Sequence, residues 1–167
     1  MEKKYELTEE TKEFYGRTLH RIKALKNFGD VEVGDLGGYI ESESNLIQEC
    51  CAWVYGNAMV YGDAKVYGNA WVFGDAKVYG DAKVFDNANV CGDAEIKGKT
   101  DYIVFKNWWS SGRYFTWTHS NNMWKVGCFY GTGKELVEKA YKDSELSGRE
   151  YERAVKYVES ILADEKK

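Results

Sequence analysis

The chain has 167 residues, 44% of them hydrophobic and 30% charged, values near globular averages that exclude wholesale disorder. Its formal net charge of −4 leaves no segment basic enough to serve as a dedicated nucleic-acid arm, and no run approaches the roughly 20 apolar residues of a membrane helix. Proline is absent, and the 13 Tyr and 6 Trp require many rings to stack or be buried.

Residues 1–36 read as a β lead-in. The opening Met1-Glu2-Lys3-Lys4-Tyr5-Glu6 has no apolar core, so no secretory signal is expected. TKEFYGRTLHRIKAL, residues 11–25, alternates as a β-hairpin or as a strand leading into residues 37–98. Gly29-Asp30 and GDLGG at 34–38 are turn chemistry. The segment is expected to cap one end of the next element, because an open end there exposes an unpaired edge.

Residues 37–98 are dominated by an internal repeat. From Cys51 the units are CAWVYG, NAMVYG, DAKVYG, NAWVFG, DAKVYG, DAKVFD, NANVCG and DAEIKG. Alanine returns at every sixth position from Ala52 to Ala94, with valine two residues later until Ile96 replaces it. Residues two apart share a strand face, so Ala and Val point inward and the residue between them outward. Gly followed by Asp or Asn then makes a corner, where positive φ costs these types least. A triangular parallel β-helix of about three coils fits the unit. The register extends upstream if Ile40 and Leu46 take the alanine slot. Wound at 18 residues per coil, one face stacks Trp53 on Trp71, and next to them Tyr55 on Phe73 and Cys91. Two stacked tryptophans call for cover, so Trp53, Tyr55, Trp71 and Phe73 are candidate interface residues for terminal segments or a second copy. The corner pairs Asp63/Asp81 and Asp75/Asp93 read as solvated.

Residues 99–167 read as an appended α+β domain. Strands are expected at 102–106, 113–118 and 123–129. Two helices come next, one opened by a capping box of Thr132 and Glu135, the other by Ser147 and Glu150. The fold class is therefore mainly β: a parallel β-helix with a small C-terminal α+β domain of three antiparallel strands and two helices. Trp108, Trp109, Arg113, Tyr114 and Lys125 form the richest polar-aromatic group, able to stack a base and neutralise a phosphate. They are the candidate binding residues.

Signals for catalysis are sparse. The four cysteines, Cys50, Cys51, Cys91 and Cys128, have no zinc spacing and read as reduced intracellular thiols. Cys128, in VGCFYG, reads as a buried structural thiol. GTG at 131–133 reads as helix capping without a nucleotide fingerprint. No cofactor or metal is expected.

The repeat resembles the hexapeptide-repeat, left-handed parallel β-helix proteins, and that resemblance, rather than the spacing, supplies the handedness. The known acyltransferases of that kind generally use a histidine as general base. This chain has only His20 and His119, both outside the repeat. The whole chain further resembles a family common in bacteriophage and prophage genomes, often labelled transferase through the repeat alone. RTLHRIKALKNFGDV, GDLGGYI and the NL at 45–46 resemble its lead-in, and AWVYGNA with the units after it resembles its coils. SGRYFTWT, VGCFYGTGKEL and GREYERAV resemble its C-terminal region. The resemblance implies no catalytic residues. It implies a virus or mobile element living in a bacterium, and the leading expectation is a cytoplasmic, non-enzymatic binding protein, a counter-defence inhibitor that occupies a bacterial host protein, nucleoprotein or nucleotide ligand. A homo-oligomer, dimer or trimer, is expected, with no membrane partner. An acyltransferase-like enzyme and a structural phage oligomer are the alternatives.

Overall fold

The computed structural model describes residues 2–167. The chain divides into two compact units: the described residues up to Tyr102 with Thr118–Asn121, and Ile103–Trp117 with Asn122–Lys167.

In the first unit, β1 (Tyr5–Phe14) and β2 (Arg17–Ala24) form an antiparallel hairpin. Tyr15 and Gly16 turn it with φ of 47° and 75°, the doubly positive geometry that matches strand twist. β2 pairs antiparallel with β3 (Leu36–Ile40), which pairs in parallel with the first coils. The coils supply eight two-residue strands: β4 (Trp53–Val54), β5 (Met59–Val60), β6 (Lys65–Val66), β7 (Trp71–Val72), β8 (Lys77–Val78), β9 (Lys83–Val84), β10 (Asn89–Val90) and β11 (Glu95–Ile96). They stack as three faces, β4-β7-β10, β3-β5-β8-β11 and β6-β9, all parallel within the coils. This is a β-solenoid of about three turns. The repeated Ala and Val side chains fill its interior at 0–1% exposure. Corner glycines such as Gly62 and Gly74 hold φ near 70°, and Asp86, where one unit lacks glycine, adopts 55°.

The upstream register differs from the expectation. Ile40 pairs with Val60 and Leu46 bridges to Val66, so both occupy the valine slot rather than the alanine slot. A branched or long side chain fits the wide valine position, and alanine marks where the prism is narrow. The two extra residues of this turn fall between Leu46 and Val54, around Cys50, whose φ is 59°.

Flanking the ladder bonds of the strands, N–H groups of one coil donate to carbonyls of the next, as in Trp53 N–H to Ala70 O and Trp71 N–H to Ala88 O. At these positions the N-terminal end leaves carbonyls to be met and the C-terminal end leaves N–H groups. Donors seal the first: the Lys4 ammonium reaches Ala52 O at 2.7 Å, the Tyr39 N–H reaches Ala58 O, and the Asn45 amide reaches Ala64 O at 2.9 Å. Acceptors serve the second: Ser120 Oγ takes the Glu95 N–H, and the Asp101 carboxylate takes those of Lys97 and Gly98. This accounting explains why Lys4 and Asn45 are fully buried polar residues.

The second unit holds an antiparallel sheet of β12 (Tyr102–Lys106), β13 (Tyr114–Thr118), β14 (Met123–Val126) and β15 (Phe129–Gly131), in that order. The expected third strand is split by Gly127, at φ 55°, which makes a tight turn with Cys128. The helices are α1 (Gly133–Asp143) and α2 (Glu145–Glu165). The Thr132–Glu135 capping box is present. The second cap differs: Ser144 accepts from Ser147 N–H, so Ser147 lies inside the first turn, because the helices meet with a single residue between them. Phe115, Trp117, Trp124, Leu136, Tyr151 and Val155 form the core between the sheet and the helices.

Candidate functional site

The histidine of the lead-in sits mid-strand. β2 places His20 between Thr11 of β1 and Ile40 of β3. Its ring is half-buried, and Nδ1 lies 3.3 Å from Thr8 O. A carbonyl only accepts, so this contact places the proton on Nδ1 and leaves Nε2 of the neutral ring as the basic nitrogen. Around this sheet several charged groups are paired. Arg21 bonds Glu10 at 3.0 Å and Gly37 O at 3.1 Å, and the Tyr39 hydroxyl also donates to Glu10. The Arg21 bond first, then that of Tyr39, holds the Glu10 carboxyl below its ordinary value. Arg17 grips both oxygens of Glu41 at 2.9 Å. These pairs orient the sheet. His119 stands in the turn after β13, its N–H bonded to Asp101 O.

The N-terminal seal was not visible as a site in the sequence. The Lys4 ammonium lies 5.0 Å from the centre of the Phe28 ring. Burial pulls its pKa down to about 8, against the opposing effect of nearby Cys51, Cys50 and Glu49. Among the described residues no cluster of three or more His, Cys, Asp or Glu could hold a metal.

The aromatic column is partly covered by its own chain. Trp53 has no exposed surface; Tyr5 and Phe28 meet it edge-on at 6.1 Å and 5.2 Å. The lead-in thus covers Trp53 and leaves no surface of it for a second copy. Tyr55, Trp71 and Phe73 remain half-buried, with Tyr55 edge-on to Trp71 at 5.5 Å. Burial, then Asp30 and Asp35, pushes the Tyr55 phenol up to about 12.

In the second unit the five candidate binding residues separate. Trp109 packs on the helix side, its indole N–H on Ser147 Oγ at 3.2 Å and its ring 4.8 Å from Tyr151. Arg113 lies beside Gly127, and its charge acts on Tyr151, so it too belongs to the helix-side edge. Trp108 is 70% exposed in the turn between β12 and β13. Tyr114 and Lys125 lie on the sheet face away from the helices, because their strand neighbours Phe115, Trp124 and Val126 face the core. Lys106 and Tyr130 share that face and were missed in the sequence; alternation from Phe105 and Phe129 is the signal that locates them. Cys128 is exposed rather than buried, since the strand expected to bury it breaks at Gly127.

No family model matches the chain. A protein of Escherichia coli (strain K12) named uncharacterized acetyltransferase YdcK is 36% identical over 76 residues, a match covering 40% of this chain and 23% of that protein. The chain thus matches less than a quarter of that relative's length. Together with the solenoid, this likeness fits a hexapeptide-repeat protein labelled transferase. It also corrects the expectation that the chain is not an enzyme, because the relative's name points, at this distance, to transferase chemistry. The expectation rested on the lack of a histidine within the coils, which says nothing about a histidine carried on a strand that extends a coil face.

Proposed function

We propose that the protein is an acyl-CoA-dependent transferase of the hexapeptide-repeat type, with His20 as general base. The observation that carries this reading is the likeness of its sequence to a protein named acetyltransferase, and the His20–Thr8 contact supports the choice of base. In the reaction, Nε2 takes the proton from an acceptor amine or hydroxyl as its nucleophile attacks the thioester carbonyl. The C–S bond breaks, and the proton passes to the departing CoA thiolate. The motifs shared with phage proteins support a phage or mobile-element origin and a bacterial host molecule as acceptor. The free cysteines support the cytoplasm, where acyl-CoA is available. Half-buried Trp71 and Phe73 would meet a second copy.

The test is acetyl-CoA turnover by the full chain, read by chromatography as CoA released in the presence of amine, aminosugar and protein acceptors. Wild type should release CoA. His20→Ala should lose about 10²–10⁴-fold, the usual value of a positioned base, while His119→Ala stays near wild type. No turnover and no acetyl-CoA binding by wild type would refute the reading.

A further inference from the structure

The second unit has a chemistry the transferase reading does not use. Between Asp101 and Glu135 the sequence has no carboxylate, yet it carries Lys106, Arg113, Lys125 and Lys134 and much of the chain's tryptophan. Every Asp and Glu of this unit lies on α1 or α2. Those helices cover one face of the sheet, where Phe105, Phe115, Trp124 and Phe129 point. The opposite face therefore has no acid of its own unit on its strands.

That face carries a regular set of groups. Lys106 of β12 holds its ammonium 5.9 Å from the centre of the Tyr114 ring on neighbouring β13. On β14 and β15, Lys125 stands directly across the ladder from Tyr130. Tyr114 is 40% and Tyr130 39% exposed. The strand order β12-β13-β14-β15 thus spreads lysine, tyrosine, lysine and tyrosine across the sheet, with buried Thr116 on the same face. At the end of the β12–β13 hairpin, Trp108 adds a ring that is 70% exposed.

We propose that the exposed end of this sheet face, carrying Lys106, Tyr114, Lys125 and Tyr130, binds single-stranded nucleic acid. Flat rings on adjacent strands suit unstacked bases, each of which offers a π-face, and lysines between the rings suit the phosphates that link them. A duplex hides its base faces and could use only the lysines. An acidic peptide would meet the lysines but has no planar groups for the rings. Tyr114 and Tyr130 stack bases, Lys106 and Lys125 neutralise phosphates, and Trp108 extends the platform. The proposal stands whether or not the chain transfers acyl groups.

The experiment is fluorescence anisotropy of the full chain with fluorescein-labelled oligo-dT and oligo-U, at several salt concentrations. A duplex of equal length and unlabelled polyphosphate serve as competitors. Binding at or tighter than about 10⁻⁴–10⁻⁶ M is expected for single strands near physiological salt, with the duplex and polyphosphate competing poorly. Tyr114→Ala and Tyr130→Ala should each weaken binding by roughly tenfold or more, the size of one lost stack. Lys106→Gln and Lys125→Gln should flatten the dependence on salt, by about 0.7 in logarithmic slope for each single-strand phosphate released. The DNA and RNA arms show which strand is preferred, and either supports the proposal. Thermal melts report whether each variant folds, and the exposed Trp108→Ala serves where a tyrosine variant does not. Three results would overturn the proposal: no binding of either strand by wild type, equal competition by polyphosphate, or full affinity in the folded ring variants.

Discussion

Lys4 offers the sharpest test of the solenoid's N-terminal seal. Its ammonium replaces the coil that would otherwise lie over Ala52, at the cost of holding a charge out of water. That burial is the main reason its pKa falls from 10.5 to about 8; Lys26 adds to the fall, and Cys51, Cys50 and Glu49 oppose it. In the window between about 8 and 10.5 the unfolded chain holds more protons at this site than the folded chain. Stability therefore rises with pH through that window. At ~1.36 kcal/mol per tenfold change, the gap corresponds to about 3 kcal/mol. The tyrosines act the other way at higher pH. Burial pushes the phenols of Tyr55, Tyr61 and Tyr102 up to about 12, so their contribution is lost as pH climbs from 10 towards 12. Urea unfolding of wild type and Lys4→Met, under reducing conditions from neutral pH to about pH 10.5, separates the two, since both chains share the tyrosines. The difference curve should change by about 3 kcal/mol, with wild type gaining on the variant as pH rises. Near neutral pH the relief of the buried charge is offset by an unbonded Ala52 carbonyl, each of order 1–3 kcal/mol. Parallel curves for the two chains would refute the account of Lys4.

Asn45→Ala should cost about 1–3 kcal/mol in urea unfolding, because it strips the Ala64 and Gly62 carbonyls of the amide that serves them. Trp53→Ala should cost about 3–5 kcal/mol, the loss typical of a large buried ring, and Trp71→Ala less, since that ring is only half-buried; equal losses would contradict the covering role of Tyr5 and Phe28. Gly148→Ala gains about 1 kcal/mol of helix propensity, yet its Cβ would fall 2.2 Å from Cγ of Tyr141. A net drop in melting temperature is therefore expected, and a rise would show that the ring swings aside.

The repeat was legible because its period is short and its slots differ in size: Ala and Val cannot exchange places without leaving voids or clashes, so the pattern writes the faces directly. The offset of Ile40 and Leu46 was not legible, because upstream of Cys51 no unit repeats the Ala-x-Val spacing. Only the hydrogen-bonded neighbours Val60 and Val66 reveal which slot these residues fill. Alternation along β13 puts Phe115 and Trp117 in the core and Tyr114 on the other face. Arg113 shares the parity of Phe115 and Trp117, so alternation along the strand expected at 113–118 already points it away from Tyr114; Trp109 lies outside the expected strands, where alternation says nothing. Lys4 was invisible for a different reason. A lone lysine near a chain start reads as solvated, and its role arises only from the direction in which the solenoid's carbonyls point.

That direction also assigns the lead-in a task beyond capping. A parallel β-helix cut at its N-terminal end leaves backbone groups unpaired, the carbonyls of Ala52, Ala58 and Ala64 among them, and another chain's strand edge is their natural complement. The lead-in and the residues just after it answer with unlike donors: the Lys4 ammonium at Ala52 from the lead-in, and the Tyr39 N–H at Ala58 and the Asn45 amide at Ala64 from the segment that follows. No regular strand edge can satisfy all three at once, so the seal also obstructs stacking of one solenoid on another. A chain lacking residues 1–36 keeps Asn45 and Tyr39 but loses Lys4, and with it Tyr5 and Phe28 over Trp53. It should self-associate through the opened end, seen in sedimentation velocity as species larger than those of the full chain. The full chain with Lys4→Met should stay unchanged in size, because Tyr5 and Phe28 still cover the face. If the truncated chain sediments without added association, the carbonyl edge is not what the lead-in protects, and its role reduces to covering Trp53.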